Sequence, residues 1–223
     1  MRSELAINAV IFDMDGVLID SFDSHHKAWD MVCKKNFGFD VTVDEFRVLF
    51  GTDPLVILES LLVAHDTSTN LDLRAVNDEK QEAFRAIAEG NTVLLPGVVE
   101  LLKDLRGEGV RIGLYSTTSR VNVSKMTTDL GINDYFQSIL GVEDAVNGKP
   151  APDGYVKASK MLDVPAVECL VIEDSVNGTI AGKRAGMPVL GVLTGGRTRN
   201  ELVDAGADII VATLEGFDIR GMR

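Results

Sequence analysis

The sequence has few of the features that mark secreted or membrane-spanning proteins. Its two cysteines, Cys33 and Cys169, are far apart and no Cys-x-x-Cys pair is present, so the chain has no disulfide framework. No apolar stretch approaches 18 residues, and residues 1–5 lack the apolar core of a secretory leader. We therefore expect a cytoplasmic protein.

Positive charge is also scarce, because 22 Lys and Arg residues face 34 Asp and Glu residues, for a formal charge of −12. Such an acidic surface repels nucleic-acid phosphates and anionic membranes, so we expect neither as a partner. An anionic substrate would need local positive charge from a metal ion, a lysine or helix N-termini. No segment suggests an interface between copies, so a monomer is expected.

What the chain does contain is a series of short apolar runs, each ending in small or acidic residues. They are apolar on both faces, which is typical of buried parallel strands. The runs cover residues 9–12, 110–115, 138–142, 170–172, 189–193 and 208–211. Helical spacing follows between most of them, for example in residues 98–105 and 155–162. This alternation predicts an α/β fold, with a Rossmann-like, doubly wound parallel sheet.

Residues 23–92 interrupt this alternation. They show helical periods and little strand pattern, which predicts an inserted all-α cap domain between two parts of the core, residues 1–22 and 93–223. Ligands of doubly wound sheets bind at the carboxyl ends of the strands. A helical insertion directly after the first strand is therefore placed to act as a lid.

Acidic residues follow two of the predicted strands. Asp13 and Asp15 come directly after the first, and Gly16 permits a turn that lets both face one crevice. Glu173 and Asp174 follow the run 170–172. Close carboxylates repel unless they share a proton or a cation, and all-oxygen ligation suits Mg²⁺. The alternatives are a solvated acidic turn for the first pair and a helix start for the second.

A lysine and a group of hydroxyl residues follow other strands. Lys149 lies in a loop stiffened by prolines, where it could neutralise a phosphoryl oxygen or a carboxylate; an ordinary surface lysine is the alternative. Ser116, Thr117, Thr118 and Ser119 come between the run 110–115 and a predicted helix. Hydroxyls and amides at that position suit a phosphate, whereas helix capping is the alternative for Thr118 and Ser119.

The order Asp-x-Asp, Ser/Thr, Lys, acidic pair, with each group after a strand, resembles the haloacid dehalogenase superfamily of phosphatases. The resemblance runs from about residue 7 to the end. Residues 12–21, 148–153 and 172–175 are similar to the subgroup that contains β-phosphoglucomutases and phosphoglycolate phosphatase-like enzymes. Members of this subgroup carry a helical cap after the first strand, in agreement with the insertion.

The resemblance implies that Asp13 is the nucleophile that attacks phosphorus. Asp15 would be the general acid for the leaving oxygen and later the base that activates water. Mg²⁺ would be held by the Asp13 carboxylate, the Asp15 backbone carbonyl and Asp174, with Glu173 nearby or acting through water. The second aspartate also argues against dehalogenation, since haloacid dehalogenases of the family lack it.

The resemblance assigns the remaining core residues to the phosphoryl group. Ser116, the amide of Thr117 and Lys149 would bind the transferring phosphoryl oxygens. Phosphoryl transfer depends mainly on positioning and charge stabilisation, and these groups supply both. Lys149 and Mg²⁺ together would give an acidic protein the positive spot that an anionic substrate needs.

Substrate choice falls to the cap in this subgroup. His25 matches a histidine that lies near the general acid in β-phosphoglucomutase-like proteins, although a helix-surface histidine is the alternative. Lys80 resembles a cap lysine that contacts the distal group of the substrate. Gly51 and Thr52 belong to a segment that resembles the cap loop entering the site. The mutase loop carries an arginine for a second phosphate where this sequence has Pro54, which favours hydrolysis.

Several functions remain open at this point. The first is a phosphatase of a sugar phosphate, phosphoglycolate or similar small monoester. The second is a phosphomutase, which would need a bisphosphate activator and would release inorganic phosphate slowly. The third is a non-catalytic phosphate-binding or regulatory protein. A phosphonatase would need a cap lysine as Schiff-base nucleophile, for which Lys80 is a poor candidate.

Overall fold

A computed structural model describes residues 7–222 of the chain. The contacts between Cα atoms divide it into two compact units. Residues up to Asp20 and from Val93 onward form one unit, and Ser21–Thr92 form the other; the boundaries expected from the sequence lie after residues 22 and 92. The N-terminal segment considered for a leader lies outside the described residues.

The larger unit contains the strands of the described chain. Their bounds are β1 Ala9–Phe12, β2 Ile19–Asp20, β3 Val93–Leu94, β4 Arg111–Tyr115, β5 Ser138–Leu140, β6 Cys169–Glu173, β7 Val189–Val192 and β8 Ile209–Val211. Six of them form one sheet in the order β5-β4-β1-β6-β7-β8, with every neighbouring pair parallel. All six apolar runs are therefore confirmed as strands of a parallel sheet.

Helices connect the strands and make up the smaller unit. Their bounds are α1 Phe22–Phe37, α2 Val43–Leu49, α3 Pro54–Ala64, α4 Leu73–Ala88, α5 Val98–Gly107, α6 Arg120–Asp129, α7 Asp153–Leu162, α8 Val176–Arg184 and α9 Arg199–Asp204. The first four belong to the smaller unit and the rest to the larger. Among residues 7–222, none of the helices combines the length and apolar character needed to cross a bilayer.

The core of the larger unit lies against the sheet. The central strand β1 is buried along its whole length and pairs with β4 on one side and β6 on the other. Ala158 and Leu162 of α7 and Ala181 of α8 pack with buried strand residues in one apolar cluster. Cys169 belongs to this cluster, and its apolar surroundings raise the pKa of its thiol to about 11.

The smaller unit consists of helices packed around a hydrophobic core of its own. Within this unit, α1 and α4 contact each other most extensively, and α3 also packs against α4. Trp29, Phe46, Leu58 and Leu61 are among the buried residues that fill its centre. Two devices fix the helix ends: Gly38 closes α1 in the left-handed conformation, and Thr42 opens α2 with a capping box.

Candidate active site

The two central strands bring three carboxylates together. Asp13 directly follows β1, Glu173 is the last residue of β6, and Asp174 comes next. The register of these strands aligns Phe12 with Ile172, and the Asp13 amide donates to the Ile172 carbonyl at 3.0 Å. One carboxylate oxygen from each acid lies within 4.8 Å of the other two, and all three residues are buried.

Lys149 completes this group, and we call these four residues the acid–lysine cluster. The Lys149 ammonium donates to Asp13 Oδ1 at 2.5 Å and to Glu173 Oε1 at 2.6 Å. It also lies 5.0 Å and 5.2 Å from the ring centroids of Tyr115 and Tyr155. Since Lys149 is only 5% exposed, the alternative of an ordinary surface lysine is wrong.

Glu173 is held by donors of the protein on both of its oxygens. Oε1 accepts from Lys149 and from the Tyr155 hydroxyl at 2.7 Å. Oε2 accepts from the Asp174 and Ser175 amides at 3.1 Å and from the Ser175 hydroxyl at 2.9 Å. A carboxylate offers about four lone-pair positions, so these donors leave little room for a metal ion on Glu173. Its arrangement suits the anchoring of Lys149.

The pKa values divide the acids of the cluster. Burial raises the pKa of Asp13 to about 8, which the attraction of Lys149 does not offset. Burial likewise raises the pKa of Asp174 well above its usual range, and the neighbouring charges of Glu173 and Asp13 add to this. For Glu173 burial acts in the same direction, but Lys149 and the hydrogen bonds outweigh it and lower the pKa. The cluster thus has one lysine for three acids. Lys149 balances the charge of Glu173, and Asp13 and Asp174 are left without a second cation.

Asp174 is the acid that most directly indicates a metal site. It is 3% exposed, and within residues 7–222 no hydrogen-bond donor contacts its carboxylate. A buried carboxylate without a donor is costly unless a proton or a cation compensates it. Asp13 and Asp174 offer oxygen ligands only, which is the donor set of a hard divalent cation. The residues present therefore fit such an ion.

The hydroxyl residues after β4 reach the first acidic motif. Thr118 Oγ1 donates to Asp15 Oδ2 at 3.3 Å, Ser116 Oγ donates to the same oxygen at 3.4 Å, and the Thr118 amide donates to Ser116 Oγ at 3.0 Å. Helix capping, the alternative for Thr118 and Ser119, is not observed. Ser119 is the residue before α6 but its side chain makes no capping bond. Thr117 is half-buried, and phosphate binding by its amide stays a prediction.

The structure also brings two of the proposed cap residues together. Lys80 on α4 and His25 on α1 are both buried, and Lys80 Nζ lies 2.7 Å from His25 Nδ1. The His25 ring stacks on Phe84 with centroids 3.8 Å apart. Lys80 Nζ lies 5.2 Å and 5.1 Å from the ring centroids of Trp29 and Phe84. The alternative of a helix-surface histidine is therefore wrong, while contact with a substrate stays a prediction.

The loop between α2 and α3 contains the other cap candidates, Gly51 and Thr52. Both are half-buried, and the Thr52 amide donates to the Leu49 carbonyl at 3.1 Å. Pro54 is the first residue of α3, whose N-cap is Asp53. A proline suits that helical position because it has no amide to satisfy. The loop forms a tight turn into a helix, and its role in substrate binding stays a prediction.

Sequence reasoning missed two contributors to the site. The Tyr155 hydroxyl bonds Glu173, although this residue lies in a stretch that carried only a helix signal. The turn Leu193–Gly195 follows β7, and the Thr194 hydroxyl donates to the Gly16 carbonyl. No function was predicted for the residues that follow the run 189–193. Their position after a strand of the parallel sheet was the available signal, because the other site residues also follow strands.

Comparison with known proteins identifies the family. A model for haloacid dehalogenase-like hydrolases matches residues 7–186, most of the chain. The chain belongs to the haloacid dehalogenase-like hydrolase family. Two curated relatives of this hydrolase are β-phosphoglucomutase from Bacillus subtilis (strain 168), 35% identical over 211 residues, and a phosphorylated carbohydrates phosphatase from Thermotoga maritima, 31% identical over 217 residues. The first alignment covers 92% of this chain and 89% of the relative, and the second 96% and 98%.

The solved structures agree on the fold of this haloacid dehalogenase-like hydrolase. A β-phosphoglucomutase from Clostridium difficile matches it with a TM-score of 0.84 at 25% identity, covering 97% of this chain and 95% of the other. The family resemblance and the Rossmann-like core expected from the sequence are thus confirmed. The hydrolase is an enzyme of phosphoric monoesters, either a phosphatase or a phosphomutase.

Proposed function

We propose that this hydrolase is a Mg²⁺-dependent phosphatase of a small phosphorylated metabolite, acting through an aspartyl-phosphate on Asp13. The observation that carries the proposal is the acid–lysine cluster. In it, a buried carboxylate at the end of the central strand lies 2.5 Å from a buried ammonium group. Sugar phosphates and phosphoglycolate-like monoesters are the substrate class we propose, in keeping with the name of the Thermotoga maritima relative.

In the first step, an oxygen of Asp13 forms a bond to phosphorus as the bond from phosphorus to the leaving oxygen breaks. Asp15 donates a proton to that oxygen, which departs as an alcohol. In the second step, Asp15 removes a proton from water, and the water oxygen attacks phosphorus. The bond between phosphorus and Asp13 then breaks, which releases inorganic phosphate and restores both aspartates.

Lys149 supports both steps by offsetting negative charge on the transferring phosphoryl oxygens. Burial acts to lower the pKa of Lys149, but the negative charges of Asp13 and Glu173 outweigh it and hold this pKa well above its usual range. Lys149 therefore remains an ammonium ion. Ser116 and the Thr117 amide would bind the same oxygens. The bonds from Ser116 and Thr118 to Asp15 hold the proton-transfer carboxylate near them.

The Asp13 carboxylate, the Asp15 carbonyl and Asp174 would hold Mg²⁺, with Glu173 in reach through water. When bound, the ion supplies positive charge that lowers the pKa of the nucleophile and offsets charge on the phosphoryl group. The need for it follows from Asp13, whose pKa of about 8 would leave much of the carboxyl protonated at neutral pH. A protonated carboxyl is a poor nucleophile.

In the helical unit, we propose that His25 and Lys80 contact the part of the substrate distant from phosphorus, together with the loop at Gly51 and Thr52. Lys80 and His25 present nitrogen donors beside aromatic faces. This combination suits a small polar group such as a sugar hydroxyl or a carboxylate.

A phosphomutase is the second candidate, and the 35% identity to a β-phosphoglucomutase favours it. A mutase must retain a bisphosphate, which requires a second anion site. The loop Gly51-Thr52-Asp53-Pro54 contains no basic residue. Pro54 begins α3, and the family resemblance would place the mutase arginine at this position. We therefore rank hydrolysis first.

The test is phosphate release by the purified protein from a panel of small esters, with Mg²⁺ and with EDTA. The panel contains phosphoglycolate, hexose 1- and 6-phosphates, glycerol phosphate and nucleotides, and β-glucose 1-phosphate is also followed for isomerisation. We expect Mg²⁺-dependent release from at least one compound. Isomerisation with little release would make the protein a mutase, and silence on every compound would favour a phosphate-binding role.

Asp13→Asn is the matched control, because the amide has the same shape and no charge. We expect it to fold like the wild type and to lose turnover. Retained turnover in this variant, with Mg²⁺ present, would remove Asp13 as the nucleophile while leaving the phosphatase activity itself established.

A further inference from the structure

The turn Leu193–Gly195, for which no function was predicted, lies against Asp174 of the acid–lysine cluster. We infer that this turn forms a wall of the metal site and that Gly195 sets the position of the Asp174 carboxylate, and with it the affinity for Mg²⁺. The inference rests on the proposed function, since it takes Asp13 and Asp174 to be metal ligands. It assigns a positioning role to residues outside the family's sequence motifs.

The first observation is the space that Gly195 leaves. A Cβ atom at this position would lie 1.6 Å from Asp174 Oδ2 and 2.5 Å from its carboxylate carbon. These distances are far below van der Waals contact, so any larger residue would have to displace the carboxylate. The backbone of Gly195 does not need the left-handed region. The requirement for glycine here is therefore one of space.

The second observation is a matching approach from the opposite loop. A Cβ atom on Gly16 would lie 2.3 Å from the same oxygen of Asp174 and 3.1 Å from the Gly195 Cα. The Thr194 hydroxyl donates to the Gly16 carbonyl and so ties the turn to the loop after β1. Gly16 and Gly195, on two segments tied together by the Thr194 hydroxyl, thus both lie against the Asp174 carboxylate.

These contacts adjoin a carboxylate that no hydrogen bond from residues 7–222 orients. No donor within residues 7–222 bonds the Asp174 carboxylate, so packing against the two glycines fixes its direction. Mg²⁺ requires near-octahedral geometry with oxygens at about 2.0–2.1 Å, whereas Ca²⁺ accepts longer and more variable distances. Displacing Asp174 should therefore weaken Mg²⁺ binding more than Ca²⁺ binding.

The experiment is calorimetric titration of the metal-free full-length protein with Mg²⁺ and, separately, with Ca²⁺, for wild type and Gly195→Ala. We expect the alanine variant to bind Mg²⁺ at least about tenfold more weakly, in the range found for groups that orient metal ligands. The loss for Ca²⁺ should be smaller. The unfolding temperature in EDTA should stay close to that of the wild type, which separates a displaced ligand from a damaged fold.

The matched control is Gly107→Ala. Gly107 is the last residue of α5, and a Cβ atom there meets nothing within 4 Å. Its Mg²⁺ affinity should equal that of the wild type. A second variant, Thr194→Val, removes only the hydroxyl that holds the turn, and we expect about threefold weaker Mg²⁺ binding because the turn is loosened but not filled.

The outcomes separate the two proposals. Wild-type affinity for Mg²⁺ in Gly195→Ala overturns the inference and leaves the phosphatase proposal intact. If the wild type itself takes up no Mg²⁺, the metal-dependent mechanism fails together with the inference. Should Gly195→Ala fail to fold, Thr194→Val decides: unchanged affinity counts against the inference and weakened affinity supports it.

Discussion

Two lysines in different units of this hydrolase are buried to a similar degree, yet their surroundings differ in kind. Lys149 is 5% exposed and contacts two carboxylates, Asp13 and Glu173. Lys80 is 2% exposed, and within its own unit it contacts an imidazole nitrogen and two aromatic faces. Both also have rings within about 5 Å of the ammonium group. Among these contacts the difference is that Lys149 meets carboxylates and Lys80 meets an imidazole nitrogen.

These contacts indicate different roles for the two lysines. The carboxylates of Asp13 and Glu173 keep Lys149 protonated. Its single positive charge balances one of the three acids in the cluster, so two acids remain in excess. An ammonium group has donors only, so the contact of Lys80 assigns Nδ1 of His25 as acceptor and the ring proton to Nε2. A hydrogen bond to this imidazole nitrogen is more easily exchanged for one to a substrate oxygen than a bond to a carboxylate is. We therefore expect Lys149 to govern turnover and Lys80 to govern binding.

The largest effect should come from Lys149→Met, which keeps an unbranched side chain of similar length but removes its charge. We expect kcat to fall by about 10³-fold, the scale of losing a group that stabilises transition-state charge. Folding stability should also fall, by about 3 kcal/mol or more, because buried acids lose their partner. Steady-state kinetics and urea unfolding measure both. Lys160→Met, at an exposed position of α7, is the control and should change neither quantity; equal kcat in the two variants would contradict the assignment.

A smaller effect is expected from Tyr155→Phe, which removes the hydroxyl that bonds Glu173. Glu173 would keep its other donors but lose one that fixes its direction toward Lys149. We expect kcat to fall about tenfold with little change in KM, which corresponds to one hydrogen bond to a charged group. Tyr135→Phe, on the same unit but outside the cluster, should leave kcat unchanged. A rise in KM with constant kcat would instead indicate a role in substrate binding.

The excess acid should make the stability of the metal-free protein depend on pH. The pKa of Asp13 is about 8 in the fold and 3.8 in its unperturbed state. Between these values the folded protein keeps a proton that the unfolded chain releases, so this contribution to the free energy of unfolding falls as pH rises. Asp174, whose pKa is also raised by burial, acts in the same direction.

Thermal unfolding between pH 5 and 8, in EDTA and in Mg²⁺, measures this dependence. We expect the unfolding temperature in EDTA to fall by a few degrees relative to that in Mg²⁺ as pH approaches 8. The same comparison in Asp13→Asn should show a smaller difference, because the amide does not titrate. A metal-free protein that became more stable over this window would refute the charge balance described for the cluster.

The smallest effect is expected from Lys80→Met, which sharpens the contrast between the two lysines. A thioether chain keeps the apolar packing on Trp29 and Phe84 but provides no donor. We predict that KM for the best substrate of the panel rises about fivefold, with kcat within about twofold of wild type. Lys27→Met, on an exposed face of α1, is the control. A loss in kcat as large as that of Lys149→Met would show that the two lysines do not divide binding from turnover.

The features that could be predicted from the sequence are local ones. Strands β1 and β6 are short apolar runs with acids at their ends, so both the sheet and its acidic edge were visible in the order of residues. Helix α2, inside the segment predicted to be all-α, and helix α9 were not predicted individually, although each begins with a Thr-x-x-Glu capping box, Thr42 to Glu45 and Thr198 to Glu201. The Thr-x-x-Glu pattern marks the start of both helices in the sequence. Strands β2 and β3 are too short to have a period.

What sequence reasoning could not provide were contacts between residues distant in the chain. Thr194 and Gly16 are 178 positions apart, and only the packing of β7 beside β6 brings the turn to the first acidic loop. For Thr118 the sequence left helix capping as the alternative to phosphate binding, whereas its hydroxyl bonds Asp15, 103 positions earlier. Such partners depend on the order of strands in the sheet, and the spacing of residues does not encode that order.

The two shortest strands have a consequence for how this protein can change. Ile19 and Asp20 pair in antiparallel fashion with Leu94 and Val93, so the chain leaves the core and returns to it on adjacent strands. Paired residues of this kind are only about 5 Å apart, a gap that a two-residue hairpin turn can close. The whole of Ser21–Thr92 is thus an insertion whose two ends are attached at one place in the core. A single recombination event could replace this insertion with another segment. The four residues of the acid–lysine cluster lie outside it and would remain unchanged.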